Sequence, residues 1–408
     1  MGRNLCRWKK SPASARPSRR TIRGSKPPAT WARAWAIEHL PRQLKRLNFG
    51  TFFLLALTLA VGRVQAWDVE TLLRSEMQKH HVAGMACLVF KDGKPVTTFY
   101  DGYANLEWRT PVDAKTVFEI GSVSKQFAAA SILLLAEDGK LSVDDNISKY
   151  LTNTPPSWAN IKIRHLLTHT SGLRNYDGLD GFELRQHLTQ AQFIHRLAEQ
   201  PLNFQPGERW DYSNSGYNLL GYIVENVSGK SYWDFLSERI FTPLQMTSTS
   251  HREPWQVIPH RAAGYVFTTN NIYLNRDYDL TDLFAAGSIV STAADLAKWD
   301  AALAGDQLLK ESSKQLWWTP TRLNNGKLVD RVAHDEPGSY GFAWFIKTLQ
   351  GHKNIGHTGI TSGFSAANEF FPDDHLTIII LANTDEGFFA GNLANEVAEL
   401  LFSKAKKK

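Results

Sequence analysis

A serine and a lysine three residues apart, Ser122 and Lys125, stand in the stretch Phe118-Glu119-Ile120-Gly121-Ser122-Val123-Ser124-Lys125, just where an apolar helical run begins. Positions i and i+3 of a helix share a face, so the lysine amine can lie against the serine hydroxyl without any long-range coincidence of folding. A neutral amine in that place would take the hydroxyl proton and leave a nucleophile. The run from Phe127 to Ala136 is apolar nearly all round, which predicts a buried helix. Burial disfavours the ammonium form of a lysine at its mouth, the shift a general base needs. The spacing alone is not specific, since Ser403 and Lys406 repeat it in the polar tail. The plain structural alternative for Ser122 is a helix N-cap.

Two further patterns carry chemistry-bearing side chains. In Pro206-Gly207-Glu208-Arg209-Trp210-Asp211-Tyr212-Ser213-Asn214 a turn leads into the apolar helix predicted over Tyr217–Val227, so the phenol of Tyr212 and the carboxamide of Asn214 stand at a helix entrance and can face a cleft. In Ile355-Gly356-His357-Thr358-Gly359-Ile360-Thr361-Ser362-Gly363 the glycines of a strand allow another backbone to come close. The structural alternatives are a cap at Ser213 or Asn214 and a satisfied surface histidine at His357. His165 and His169 lie at i and i+4, but no glutamate follows His165, so the metalloprotease pattern is missing and no metal is expected. A Gly-x-Ser-x-Gly elbow and a Gly-rich phosphate loop are missing as well.

The elements that must position these residues follow from periodicity. Residues 67–82 read as an amphipathic helix, and Gly84–Phe90 and Pro95–Tyr103 as strands joined by the turn signal Lys91-Asp92-Gly93-Lys94. From the Ser122 helix to about residue 260 the pattern is mostly helical. A short helix around Ala294–Leu303 then leads to strand-like runs at Gly341–Thr348, Lys353–His357, Ala366–Phe371 and Leu376–Leu381, and a helix over Phe389–Phe402 closes the chain. Strands at both ends with helices between them predict an α+β fold: an antiparallel sheet built from both chain ends, flanked by helices, with a mainly helical subdomain inserted at about 121–284.

The 408 residues carry a formal charge of +6, but the excess is local. Residues 1–66 hold fourteen Lys/Arg and one acid, Glu38, which leaves thirty-two Lys/Arg against thirty-nine Asp/Glu in 67–408. No nucleic-acid surface is expected on the folded part. Within the leader, Phe49–Val61 is an apolar run preceded by Arg42, Lys45 and Arg46 and followed by Val64-Gln65-Ala66, the pattern of a secretory signal peptide. Residues 42–66 therefore predict export, to a periplasm or outside the cell, with cleavage after Ala66 and the folded domain over 67–408. An uncleaved leader would tether the chain to a membrane. Of the two cysteines, Cys6 and Cys87, only the second survives such cleavage, so no internal disulfide is expected.

Taken in order, Ser122-x-x-Lys125, Tyr212-Ser213-Asn214 and His357-Thr358-Gly359 resemble the motifs of the serine β-lactamase and penicillin-binding-protein superfamily. Within it the chain looks like the branch of class C β-lactamases, D-alanyl-D-alanine carboxypeptidases, D-amino-acid peptidases and family VIII esterases, which has Tyr-x-Asn where class A enzymes have Ser-Asp-Asn. The likeness runs from about Trp67 to Phe402 and takes in the segments Leu166–Leu173, Ala286–Thr292 and Tyr340–Trp344. It implies a β-lactamase/transpeptidase-like fold and no cofactor. It further implies Ser122 as the acylated nucleophile, Lys125 as its base, and Tyr212 as a proton shuttle whose phenol a nearby ammonium makes more acidic. Asn214 would hold the substrate amide, with His357, Thr358, Gly359 and Ile360 on the substrate-binding strand and the N–H groups of Ser122 and Ile360 as oxyanion hole. One residue departs from the pattern: where β-lactamases of this kind carry Lys-Thr-Gly, this chain has His357, which titrates near pH 6.5 in water and offers no permanent cation to a substrate carboxylate. The expected function is a secreted serine hydrolase acting through an acyl-enzyme on a small peptide, ester or β-lactam, as a D-Ala-D-Ala carboxypeptidase, D-peptidase or esterase. A non-catalytic penicillin-binding sensor or cell-wall-peptide binder is the alternative, and a true β-lactamase a weaker one.

Overall fold

The computed structural model describes residues 68–183, 185–276, 278–332 and 336–405. The basic leader and the signal-peptide reading of 42–66 lie outside the described residues. A helix over 68–79 (α1) precedes two paired strands, β1 (Gly84–Lys91) and β2 (Lys94–Asn105). Their turn, Asp92-Gly93, has φ of 53° and 70°, the left-handed geometry that a tight two-residue hairpin requires and that Asp-Gly supplies. Then come α2 (Lys125–Glu137), α3 (Asn214–Ser228) and α4 (Ala293–Ala304). Four strands follow, β3 (Phe345–Leu349), β4 (His352–Thr361), β5 (Phe364–Phe371) and β6 (Leu376–Ala382), and α5 (Ala390–Ala405) comes last.

The eight-stranded sheet runs Ser339–Tyr340, β3, β4, β5, β6, β1, β2, Thr110–Pro111, with antiparallel neighbours throughout. β1 from one end of the chain lies between β6 from the other end and β2, with Met85 opposite Ala382 and Lys91 opposite Leu376. This is the sheet of two chain ends expected from the strand pattern. Side chains alternate across it: Ala86 and Leu88 of β1 and Ile379 and Leu381 of β6 join the core shared with α2 and α3. Met85, Cys87 and Val89, with Ile378 and Ile380, join a second core with Val69 and Leu73 of α1 and Leu393 and Val397 of α5. Because both faces are covered, β1 and β6 read in the sequence as unbroken apolar runs.

The segment between is mostly helical, and it differs from the expectation in holding short strands at Ser250–His251, Tyr265–Phe267 and Tyr273–Asn275. One of them matters to the site. Phe118–Glu119, Ile289–Ser291 and Ser250–His251 form a small antiparallel sheet that fixes the chain just before Ser122. Glu119 is buried there, 2.8 Å from Arg252, and accepts a 2.7 Å bond from the Thr361 hydroxyl at the end of β4.

Candidate active site

Ser122 sits in a single 3₁₀ turn, Gly121–Ser124, that runs directly into α2, so Lys125 is the first residue of the helix. No side-chain hydrogen bond caps either element; the cap reading of Ser122 is not realised, and its hydroxyl is left for the cleft. All residues of α2 from Lys125 to Leu135 are buried, as an all-round apolar helix in a core must be. The lysine is fully enclosed.

The Lys125 Nζ has three oxygens around it: Asn214 Oδ1 at 2.6 Å, the Ala286 carbonyl at 2.9 Å and Ser122 Oγ at 2.9 Å. The first two can only accept. A neutral amine has two N–H bonds and one lone pair, so with both N–H groups given to Asn214 and Ala286 the lone pair faces the serine hydroxyl. Burial pulls the amine down from its ordinary 10.5 to about 7, against a weaker upward pull from the Asp177 carboxylate. The aromatic faces of Tyr212 and Tyr217, 4.9 and 5.5 Å from Nζ, give the charged form some support when it does arise.

Tyr212 and Asn214 stand at the start of α3 as expected, Asn214 being its first residue after Ser213. The acidity expected for Tyr212 is corrected by the surroundings: burial raises its phenol well above 10, the Asp177 carboxylate adds to the rise, and the hydrogen bond to Ser122 only partly opposes it. The lysine beside it is mostly neutral above pH 7, so the ammonium that was to acidify it is largely absent. Tyr212 therefore stays a phenol that can donate and pass on a proton, and does not become a phenolate base.

β4 crosses directly over the Ser122 turn. A Cβ on Gly359 would lie 2.0 Å from the Ile120 carbonyl and 2.9 Å from Ser122 N, and one on Gly121, whose φ is +50°, would lie 2.8 Å from Ile360 N. Only glycines let the two backbones approach this far, and the approach puts the amides of Ser122 and Ile360 on one small space, the arrangement an oxyanion hole needs. β3 pairs with β4 only as far as Gly356, so the strand edge from His357 onward is turned to the cleft. Thr358 is half-buried on it, and Ile360 presents a 56 % exposed side chain.

His357 is the second correction. Its ring is buried; Nδ1–H donates to the Thr358 carbonyl at 2.6 Å, and Nε2 accepts from the Tyr340 hydroxyl at 3.0 Å. Burial, with the nearby Lys125 amine, holds it down at about 3, so it is a neutral, inward-facing ring and not a group that titrates near 6.5 at the cleft wall. His165 and His169 do not converge on one point: His165 Nδ1 accepts from Lys162 N–H and His169 Nδ1 from Ser213 N–H, at 3.1 Å each. His169 packs against the rings of Tyr212, Tyr217 and Tyr340.

The family model described as Beta-lactamase matches residues 69–401. The chain belongs to the beta-lactamase family. With that membership it is a serine hydrolase of the β-lactamase/transpeptidase-like fold. Penicillin-binding protein 4* of Bacillus subtilis is 32 % identical over 335 residues, which cover 78 % of this chain and 72 % of that protein. The octameric penicillin-binding protein homologue from Pyrococcus abyssi superposes with a TM-score of 0.71 at 25 % identity, over 82 % of this chain and 77 % of the other. The D-amino acid amidase from Ochrobactrum anthropi SV3, 22 % identical with a TM-score of 0.71 over 83 % and 98 % of the two chains, shares the fold. In this beta-lactamase-family site two groups escaped the sequence reading. The Ala286 carbonyl carries no side-chain signal at all, although its segment did stand out. Asp177, which accepts from Asn214 Nδ2 at 2.7 Å, lies in the 3₁₀ turn Tyr176–Gly178, in a segment that no motif marked.

Proposed function

We propose that this protein opens small amide or ester bonds by forming an acyl-enzyme on Ser122, with substrates of the D-peptidase, amidase or esterase kind. The observation that carries the reading is the enclosed Lys125 amine, 2.9 Å from Ser122 Oγ with its other contacts taken by acceptors. As Oγ attacks the substrate carbonyl, its proton passes to Lys125, the new C–O bond forms, and the carbonyl oxygen takes up negative charge between the amides of Ser122 and Ile360. When the tetrahedral centre collapses, the proton held on Lys125 returns through the Tyr212 phenol to the departing amine or alcohol. Water then attacks the ester on Ser122, giving its proton to the same pair, and the acid leaves with Ser122 restored.

The neutral, buried His357 offers no permanent cation to a substrate carboxylate, which argues against efficient turnover of penicillins and cephalosporins, while His-Thr-Gly leaves the peptidase and esterase readings open, the D-Ala-D-Ala carboxypeptidase included. The amidase named among the structural neighbours accords with this preference at the level of fold alone. A fluorophosphonate should label the wild type covalently; equal labelling of Ser122→Ala would sink the nucleophile assignment. A nitrophenyl ester, a D-amino-acid anilide, a D-Ala-D-Ala peptide and a chromogenic cephalosporin compared side by side should rank in roughly that order. Labelling without turnover of any of them would make the protein a binder instead. Export through residues 42–66 is part of the same proposal, tested by N-terminal sequencing of the mature protein: Trp67 is the expected first residue.

A further inference from the structure

Tyr212 lies outside regular structure: residues 209–213 run as irregular chain into α3, and Ser213 at its N-cap makes no side-chain capping bond. A phenol that must carry a proton needs firmer support than such a segment gives itself. The support comes from one residue of a distant turn. His169 is buried and has φ of +57°, a left-handed step just beyond the short helix Ile163–Leu167. Its carbonyl accepts the Asp211 N–H at 2.9 Å, and its ring Nδ1 accepts the Ser213 N–H at 3.1 Å. The residues on either side of Tyr212 are thus both bonded to His169. The Ser213 N–H shares a peptide plane with the Tyr212 carbonyl, so the bond to Nδ1 fixes the chain at the Cα that bears the phenol. The next residue of the turn, Thr170, takes the Gly207 N–H on its carbonyl at 2.8 Å, which holds the start of the same loop. The His169 ring also lies against the phenol, with centroids 4.2 Å apart.

The direction of these bonds sets the chemistry of the ring. A nitrogen that accepts from an amide has its lone pair there, so the neutral imidazole carries its proton on Nε2. A second proton, on Nδ1, would set two N–H groups against each other. Burial, with Lys125 and His357 close by, keeps the ring neutral. Nδ1 is therefore occupied by the backbone, and what it supplies is position. Position matters because the phenol keeps its hydrogen bond to Ser122 only within bonding reach.

We propose that His169 is a positioning residue for Tyr212: its carbonyl and its Nδ1 clamp the chain on either side of the phenol and hold the proton carrier at Ser122. The inference rests on the acyl-enzyme reading above and deepens it. It assigns the histidine to the step that protonates the leaving group, and not to the attack of Ser122, which Lys125 serves.

Two esters of one acid separate those steps. Nitrophenolate leaves without a proton, whereas ethoxide must be protonated as it goes. kcat/KM for the 4-nitrophenyl ester therefore reports the attack, and kcat/KM for the ethyl ester reports delivery through Tyr212 as well. His169→Phe keeps a ring against the tyrosines and removes the acceptor; it should slow the ethyl ester by about 10²-fold, the effect of a misplacement near 1 Å, and leave the 4-nitrophenyl ester nearly unchanged. His169→Asn carries an Oδ1 in the place of Nδ1, tolerates a positive φ and lacks the ring; it should recover most of the ethyl ester rate. A role in packing alone predicts the opposite order of the two variants. In a Tyr212→Phe background His169→Phe should slow the ethyl ester no further, since the group it positions is gone. Equal slowing of both esters in His169→Phe, a His169→Asn no faster than His169→Phe, or a full further loss in the double variant overturns the inference. The ester ratio is taken within one sample, so a smaller folded fraction cancels from it. Fluorophosphonate labelling keeps the two claims apart. A labelled wild type whose ester ratio the variants leave unmoved rejects the positioning role alone; an unlabelled one, or one inert toward both esters, rejects the acyl-enzyme reading and the role with it.

Discussion

The pH dependence of acylation tests whether Lys125 is the base. Its amine is pulled from 10.5 to about 7 by complete burial, a change worth roughly 5 kcal/mol between its two protonation states. Acylation by a neutral nitrophenyl ester should therefore rise about tenfold per pH unit below pH 7, where the lone pair is scarce, and level off above it. Neither histidine near the serine can produce that limb: His357 lies at about 3 and His169 well below its usual range. Glu369 can, since burial raises it to about 7 and its carboxylate sits against Gly356, one residue before His357. Glu369→Gln is therefore the control, and it should leave the midpoint in place. Asp177→Asn should move the midpoint down, because the carboxylate supports the ammonium. The same shift has a stability signature with a definite sign. The folded lysine releases its proton near 7 and the unfolded one near 10.5, so between those values the unfolded chain binds more protons and this group's contribution to stability rises with pH. Chemical denaturation of wild type and Lys125→Met should show the wild type gaining roughly 4 kcal/mol on the variant from pH 7 to 10. An activity midpoint near 10, a midpoint lost in Glu369→Gln, or a pH-independent difference between the two proteins would refute the assignment.

Three further outcomes are expected. Gly359→Ala places a Cβ 2.0 Å from the Ile120 carbonyl and forces the strand away from the Ser122 amide; fluorophosphonate labelling should slow by about 10²–10³-fold, the cost of one oxyanion donor, and an unchanged rate would show that the strand does not form the hole. Tyr212→Phe keeps the ring against His169 and removes only the proton carrier, so kcat for an anilide should fall by about 10²–10⁴-fold, measured against intact labelling of Ser122. Arg252→Ala strips the buried Glu119 of a partner at 2.8 Å and should cost about 3–5 kcal/mol in denaturant unfolding; a loss below 1 kcal/mol would mean that Thr361 and its surroundings satisfy the carboxylate unaided.

Much of this site was legible because its side chains announce themselves locally. Ser122 and Lys125 share one helical turn, Tyr212 and Asn214 flank a helix start, and Gly359 sits in a strand that otherwise favours β-branched residues, so type and spacing marked them as candidates and the resemblance of the three motifs in order singled them out. The sheet was legible too, since β1 and β6 are apolar on both faces and can only be interior strands. What spacing could not convey was environment. The same burial that makes Lys125 a base makes Tyr212 a poorer acid and silences His357, and burial is set by elements far apart in the chain. Asp177 was hidden for a related reason: it meets Asn214 only once the segment between them, with its helix Gln190–Ala198, is folded. The short strands at Ser250–His251 and Ile289–Ser291 pair over few residues, too few to impose a period on the sequence.

The pairing of β1 with β6 ties chemistry to chain completion. Met85 finds Ala382 only after nearly the whole domain has been synthesised, and the Ser122 turn meets Gly359 only when β4 has been added. A nascent chain that already holds Ser122, Lys125, Tyr212 and Asn214 still lacks the second amide of the oxyanion hole. Pairings of such sequence separation fold slowly, because the intervening loop must be closed before they are rewarded. The oxyanion hole thus joins residues from distant parts of the chain, Ser122 and Ile360, and is complete only when β4 lies over the Ser122 turn.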